Sequence, residues 1–115
     1  MSKVVYTLFD GDGDNTAQVI KNNPGRLHYI EVSNINAADA FLQLFDALAV
    51  NVTVGTTTPK QSFLVPKGNG TDRGAMNWVF DPPIEFSIGI TYACTTTATG
   101  NGDPTTGLVV NVGYE

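Results

Sequence analysis

Glycine and proline cut this chain into short pieces. Gly11-Asp12-Gly13, Pro24-Gly25, Gly55, Pro59, Gly68-Asn69-Gly70, Pro82-Pro83 and Gly100-Asn101-Gly102-Asp103-Pro104 all read as turns. Glycine accepts the positive φ that turns demand, and proline presets its own φ. The pieces between are rich in Val, Ile, Tyr, Phe and Thr, which suit a pleated, half-buried surface. Strands are predicted at 3–9, 17–21, 26–33, 50–54, 61–66, 75–80, 84–94 and 107–114. In the segment from Ile84 to Tyr92, Ile84, Phe86, Ile88, Ile90 and Tyr92 share one face, with Glu85, Ser87, Gly89 and Thr91 on the other. Val110, Val112 and Tyr114 alternate in the same way with Asn111 and Gly113. Period-two patterning marks strands buried on one side. Phe63, Trp78, Phe80, Phe86 and Tyr92 are expected to form the core of a sandwich interior.

One segment departs from this pattern. From Asn36 to Leu48, Ala37, Phe41, Leu44, Phe45 and Leu48 fall on one helical face, with Asn36 as a cap and Asp39 in the first turn. The alternative strand has Leu42 and Leu44 on one face and Phe41, Gln43 and Phe45 on the other. By local pattern alone the helix fits better.

Composition removes several classes of function. A chain of 115 residues is one domain, and 42% apolar content supports a core without disulfides or metals. Charged residues make up only 15%, and Thr (14), Asn (10) and Gly (12) are used heavily instead. The net charge of −5 argues against a nucleic-acid partner, which requires a basic face. One Cys excludes an internal disulfide, and one Cys with one His excludes a zinc site built from several such ligands. No apolar run approaches the ~20 residues of a membrane span. No signal-peptide pattern follows Met1-Ser2-Lys3, so synthesis and folding are expected in a cytoplasm.

Candidate chemistry is thin. Asp10-Gly11-Asp12-Gly13-Asp14-Asn15 invites a calcium reading, but an EF-hand register starting at Asp10 puts Asn15 and Lys21 where Gly and Glu are needed. Starting at Asp12 puts Ala17 and Asn23 there. A Gly/Asp turn between strands is the simpler reading. His28 and Cys94 are candidates for a base and a nucleophile, yet a Cys in a β core is usually a small buried hydrophobe. Gly68-Asn69-Gly70-Thr71-Asp72-Arg73-Gly74 lacks the Gly-Lys-Ser/Thr order of a phosphate loop and reads as a mobile hairpin loop. Thr- and Asn-rich faces suit sugars, but Thr is also what an exposed strand face prefers. No cofactor, metal or catalytic residue is assigned, and no enzymatic activity is expected.

Three motifs in order resemble a family of small all-β bacteriophage and prophage virion structural proteins. The first is Asn36-Ala37-Ala38-Asp39-Ala40-Phe41-Leu42-Gln43-Leu44-Phe45-Asp46. The second is Val52-Thr53-Val54-Gly55-Thr56-Thr57-Thr58-Pro59, followed by Ser62-Phe63-Leu64-Val65-Pro66. The third is Ile84-Glu85-Phe86-Ser87-Ile88-Gly89-Ile90-Thr91-Tyr92-Ala93-Cys94-Thr95, followed by a Thr-, Gly- and Asp-rich loop and Leu108-Val109-Val110-Asn111-Val112-Gly113-Tyr114. The resemblance spans about residues 29–114. It implies that 40–46 is a strand, overriding a helix propensity that is a weak prior. The expected fold is all-β, a single antiparallel β-sandwich of seven to nine strands, immunoglobulin-like or jelly-roll. The implied role is a capsid decoration or cement protein of the virion, partnered with the major capsid protein and forming a homo-oligomer, most naturally a trimer. A neck, tail or head-fibre subunit, or a carbohydrate- or surface-binding β module, is the alternative. Residues 1–24 lie outside the resemblance and read as an arm or extra hairpin. Their apolar residues Val4, Val5, Tyr6, Leu8 and Phe9 are the expected partner contacts.

Overall fold

The computed structural model describes residues 5–115. Eight strands run through it: Tyr6–Gly13 (β1), Gln18–Lys21 (β2), Gly25–Asn34 (β3), Ala40–Asp46 (β4), Gln61–Val65 (β5), Gly74–Phe86 (β6), Ile90–Thr95 (β7) and Leu108–Tyr114 (β8). They form two antiparallel four-stranded sheets, ordered β1-β8-β3-β6 and β2-β7-β4-β5. The pairing is nested: β1 with β8, β2 with β7, β3 with β6, β4 with β5. Such nesting, split between two packed sheets, is the jelly-roll form of the β-sandwich. The inner faces meet over Leu27, Ile30 and Val32 of β3, Leu42 and Leu44 of β4, Ile90, Tyr92 and Cys94 of β7, and Leu108, Val110 and Val112 of β8, all buried.

Residues 40–46 are a strand, as the resemblance implied and the local pattern did not. β4 lies between β5 and β7, so its backbone groups bond on both sides. Its two faces are also both covered: Leu42 and Leu44 on the inside, Gln43 and Phe45 on the outside. A strand buried on both faces carries a nearly continuous apolar run, which also satisfies a helical template.

Other expectations are corrected. The strand predicted over 84–94 is two strands in different sheets. β6 ends at Phe86, the chain turns through Ser87–Gly89, and β7 begins at Ile90. The Asp46 carboxylate holds this corner: Oδ2 accepts from the Ser87 N–H (3.1 Å) and hydroxyl (3.0 Å), and Oδ1 from the Ile88 N–H (2.9 Å) and the Gly89 N–H (3.4 Å). Ile88 therefore turns outward to solvent instead of joining Phe86 and Ile90 in the core. Conversely, β6 runs unbroken through the segment expected to separate two strands. It carries a cis Asp81–Pro82 bond within an irregularity opposite His28.

No strand forms at 50–54. A 3₁₀ turn at Ala49–Asn51 is followed by a turn in which the N–H groups of Thr56 and Thr57 bond to Thr53 O. Gly55 takes a positive φ of 93° there. The β propensity of Val52-Thr53-Val54 is overridden because these backbone groups bond locally. The 68–74 loop crosses between sheets instead of closing a hairpin. It is tied down as well, with Gly68 N–H bonding Asn36 O and Gly70 N–H bonding Ile35 O.

The described part of the N-terminal segment, residues 5–24, forms neither an arm nor a separate hairpin. β1 is an edge strand on β8, and β2 is an edge strand of the other sheet on β7. The predicted strand at 3–9 begins at Tyr6 among the described residues and extends to Gly13, with a bulge between Asp10 and Gly13.

Candidate functional site

The outer faces of the two sheets differ. On the β2-β7-β4-β5 sheet, Gln43, Phe45, Thr91, Ala93 and Thr95 point outward and are still buried. Two loops roof them. The Gln43 amide donates to Thr95 Oγ1 (2.7 Å) and to Gly100 O (2.9 Å), and the Ser62 hydroxyl donates to Ala98 O (2.7 Å), which pins the 96–104 loop. The Thr91 hydroxyl donates to Ala47 O (2.7 Å), where the 47–60 segment leaves β4. The Thr-rich stretch at 95–97 is thus a roof anchor as much as a surface.

The outer face of the β1-β8-β3-β6 sheet has no such roof among the described residues. Its side chains lie in rows set by the register: Thr7–Gly113–Tyr29–Val79, then Phe9–Asn111–Glu31–Asn77. Phe9 is 70% exposed and Val79 is 72% exposed. The Tyr29 ring lies across Gly113, where an added Cβ would sit 2.1 Å from a ring carbon. This face mixes apolar and polar groups and ends on two edge strands, β1 and β6, that have no further partner among the described residues.

Of the predicted contact residues, Val4 lies outside the described residues. Val5 is exposed. Tyr6 is 55% exposed and stacks on Tyr114, with ring centroids 5.8 Å apart. Phe9 points out from the open face. Leu8 faces inward and packs against the core, so it anchors β1 to its own domain. Trp78, expected in the core, is 57% exposed. It sits on the inner-face register opposite Ile30, but on edge strand β6. Phe63 and Phe80 pack on each other and on the core edge, centroids 5.7 Å apart, while Phe86 and Tyr92 are buried as expected. The sequence reading missed β6 as a surface element. The signal was present: in 75–80, apolar residues occupy both parities, Met76, Trp78 and Phe80 on one side and Val79 on the other.

The groups with chemical potential are spread apart. His28 Nε2 meets Glu115 Oε2 at 2.5 Å beside the Arg26–Glu85 and Arg26–Glu115 ion pairs, at the irregularity in β3. Cys94 lies in the opposite sheet, fully buried, with burial pushing its thiol pKa up and Asp10 and Asp14 adding to the rise. The Tyr92 hydroxyl is likewise held protonated, first by burial and then by its hydrogen bond to Asp10. Asp10 and Asp14 spend oxygens locally: Asp10 on the Asp12 N–H and the Tyr92 hydroxyl, Asp14 on the Thr16 N–H. Among the described residues no three His, Cys, Asp or Glu side chains converge as a metal site requires. No described helix is long and apolar enough to cross a membrane.

No protein-family model, curated protein or solved structure matches the chain.

Proposed function

We propose that this chain is a structural subunit of a bacteriophage virion, a decoration or cement protein on the outside of the assembled shell. One observation carries the reading: residues 40–46 form a central strand, an outcome the family resemblance implied and local pattern opposed. The jelly roll is also an architecture that viral capsid domains use, though lectins use it too, so this support is by analogy. The open sheet face, with exposed Phe9 and Val79 among Asn and Glu, is a surface suited to protein neighbours.

The work of such a protein is mechanical. A subunit that binds only the assembled lattice lowers that state's free energy by mass action. The partner is the major capsid protein, and a trimeric subunit matches threefold positions of a shell. The test is co-sedimentation with shells that lack this protein, together with their thermal disruption. Added protein is expected to saturate the shells and raise their disruption temperature. Failure to bind at micromolar concentration refutes the decoration role. A ring or fibre in its place assigns the chain to neck, tail or head fibre.

A further inference from the structure

The β1-β8-β3-β6 sheet has an even number of antiparallel strands, so its two edges run in opposite directions. A second copy placed beside the first in the same orientation therefore brings its β1 antiparallel to the first copy's β6. We infer that copies of this chain join head to tail through that pairing, making the sheet continuous from one subunit to the next.

Three features of the two edges agree with a second copy as the occupant. The first is regularity. β1 is regular from Tyr6 to Asp10 and then bulges, and β6 is regular from Gly74 to Val79 and then becomes irregular. Carrying the rows of the sheet across the junction sets Thr7 against Val79, Leu8 against Trp78, Phe9 against Asn77 and Asp10 against Met76. The regular stretches overlap and the irregularities fall at opposite ends.

The second feature is apolar matching. Trp78 and Val79 are exposed on one edge, Tyr6 and Phe9 on the other. The shared register sets Trp78 beside Leu8 and the Phe9 ring diagonal to Val79, within the reach of cross-strand pairs.

The third is charge. β1 leads into Asp10, Asp12 and Asp14, while β6 is entered from exposed Arg73. Antiparallel docking puts the acidic end of one edge beside Arg73 of the other, whose chain neighbour Asp72 is held within its own loop by Asn69. An isologous β1–β1 contact, which is also antiparallel, would set the acidic end of each copy beside Tyr6 of the other and leave Arg73 out of the junction. Neither regular stretch carries the Lys or Pro that commonly blocks an unpaired edge, and the one inward charge, Asp10 at the end of the β1 stretch, is held by the Tyr92 hydroxyl.

The junction is heterologous, so it closes into a ring or extends as a filament. It leaves the rest of the open face for a different partner, and it does not depend on what that partner is.

Cysteine cross-linking reads the pairing. Thr7 and Val79 of one subunit are separated by three strand spacings, about 14 Å, too far for a disulfide within a chain. The Thr7→Cys/Val79→Cys double variant, oxidised mildly at micromolar concentration, is expected to give covalent multimers on a non-reducing gel. A mixture of the two single variants is expected to give dimers only, and each single variant alone to stay monomeric. Dimers from Thr7→Cys alone, or monomers from the double variant, overturn the inference. Light scattering supplies a second measurement free of engineered thiols. Arg73→Glu is expected to weaken self-association about tenfold by placing like charges across the junction. Adding Asp12→Lys is expected to recover most of it. No change in either variant also overturns the inference. Cross-linked multimers that ignore shells would refute the decoration role and leave this pairing intact; monomers that bind shells would do the reverse.

Discussion

Replacing Asp46 with Ala is expected to open the corner where the chain passes from one sheet to the other. Asp46 ends β4, and its two oxygens collect three backbone N–H groups and one hydroxyl from Ser87, Ile88 and Gly89. Two of the N–H bonds, at 2.9 and 3.1 Å, and the hydroxyl bond at 3.0 Å are well formed; the one to Gly89, at 3.4 Å, is weak. The net value of one hydrogen bond is about 1 kcal/mol, and the corner is partly solvated, so water replaces some of what is lost. The three good bonds together give an expected loss of about 2–3 kcal/mol. That corresponds to roughly 8–12 °C in melting temperature for a domain of this size. Asp46→Asn keeps one acceptor oxygen and is expected to lose about half as much.

The same contacts set a pH signature. Burial alone would raise the Asp46 pKa, but the N–H groups of Ser87, Ile88 and Gly89 outweigh it and hold the carboxyl below its ordinary value of 3.8. Below that value the unfolded chain takes up a proton that the folded chain refuses, so stability falls as pH falls. The contribution is complete above about pH 4 and is lost as the pH drops through the folded pKa. Urea denaturation of wild type and Asp46→Asn from pH 7 down to the acid limit of folding tests this. The gap between them should be constant near neutrality and shrink below about pH 4. An Asp46→Ala variant within 0.5 kcal/mol of wild type, or a gap that does not change with pH, would refute the corner clamp.

Gly113→Val should cost about 1–3 kcal/mol, because the new side chain meets the Tyr29 ring; thermal melts in a Tyr29→Ala background should show most of that cost removed. Gln43→Ala removes the amide that ties β4 to Thr95 and Gly100, and is expected to destabilise by about 2 kcal/mol. Hydrogen exchange should quicken in residues 96–103 before it does elsewhere. The Cys94 thiol, buried and held protonated, should react with a thiol reagent only as fast as the domain opens. Rapid labelling of the native protein would contradict that burial.

The sequence alone determined the all-β class, the strand positions around 26–33, 61–66 and 107–114, and the one-sided burial of β8. Those segments are short β-prone runs bounded by Gly and Pro, and in 107–114 the side-chain period is two, so a short window holds the information needed to place them. The tertiary structure decided the rest. Residues 84–94 alternate without interruption, yet they divide at Ser87 because a carboxylate some forty positions upstream supplies acceptors for a corner; no local window contains that partner. Residues 36–48 carry apolar groups on every face because loops from 47–60 and 96–104 cover the outer side of their sheet. A pattern with two buried faces has no period to read. β1 and β2 looked peripheral, since edge strands need little apolar surface, and only the pairing of Tyr6 with Tyr114 and Gln18 with Tyr92 makes them part of the domain. Trp78 looked like core for the converse reason: its parity matches Ile30, but parity names a face and says nothing of how far that face extends beyond the opposing sheet. Edges are set by strand order, and strand order is a long-range property of the chain.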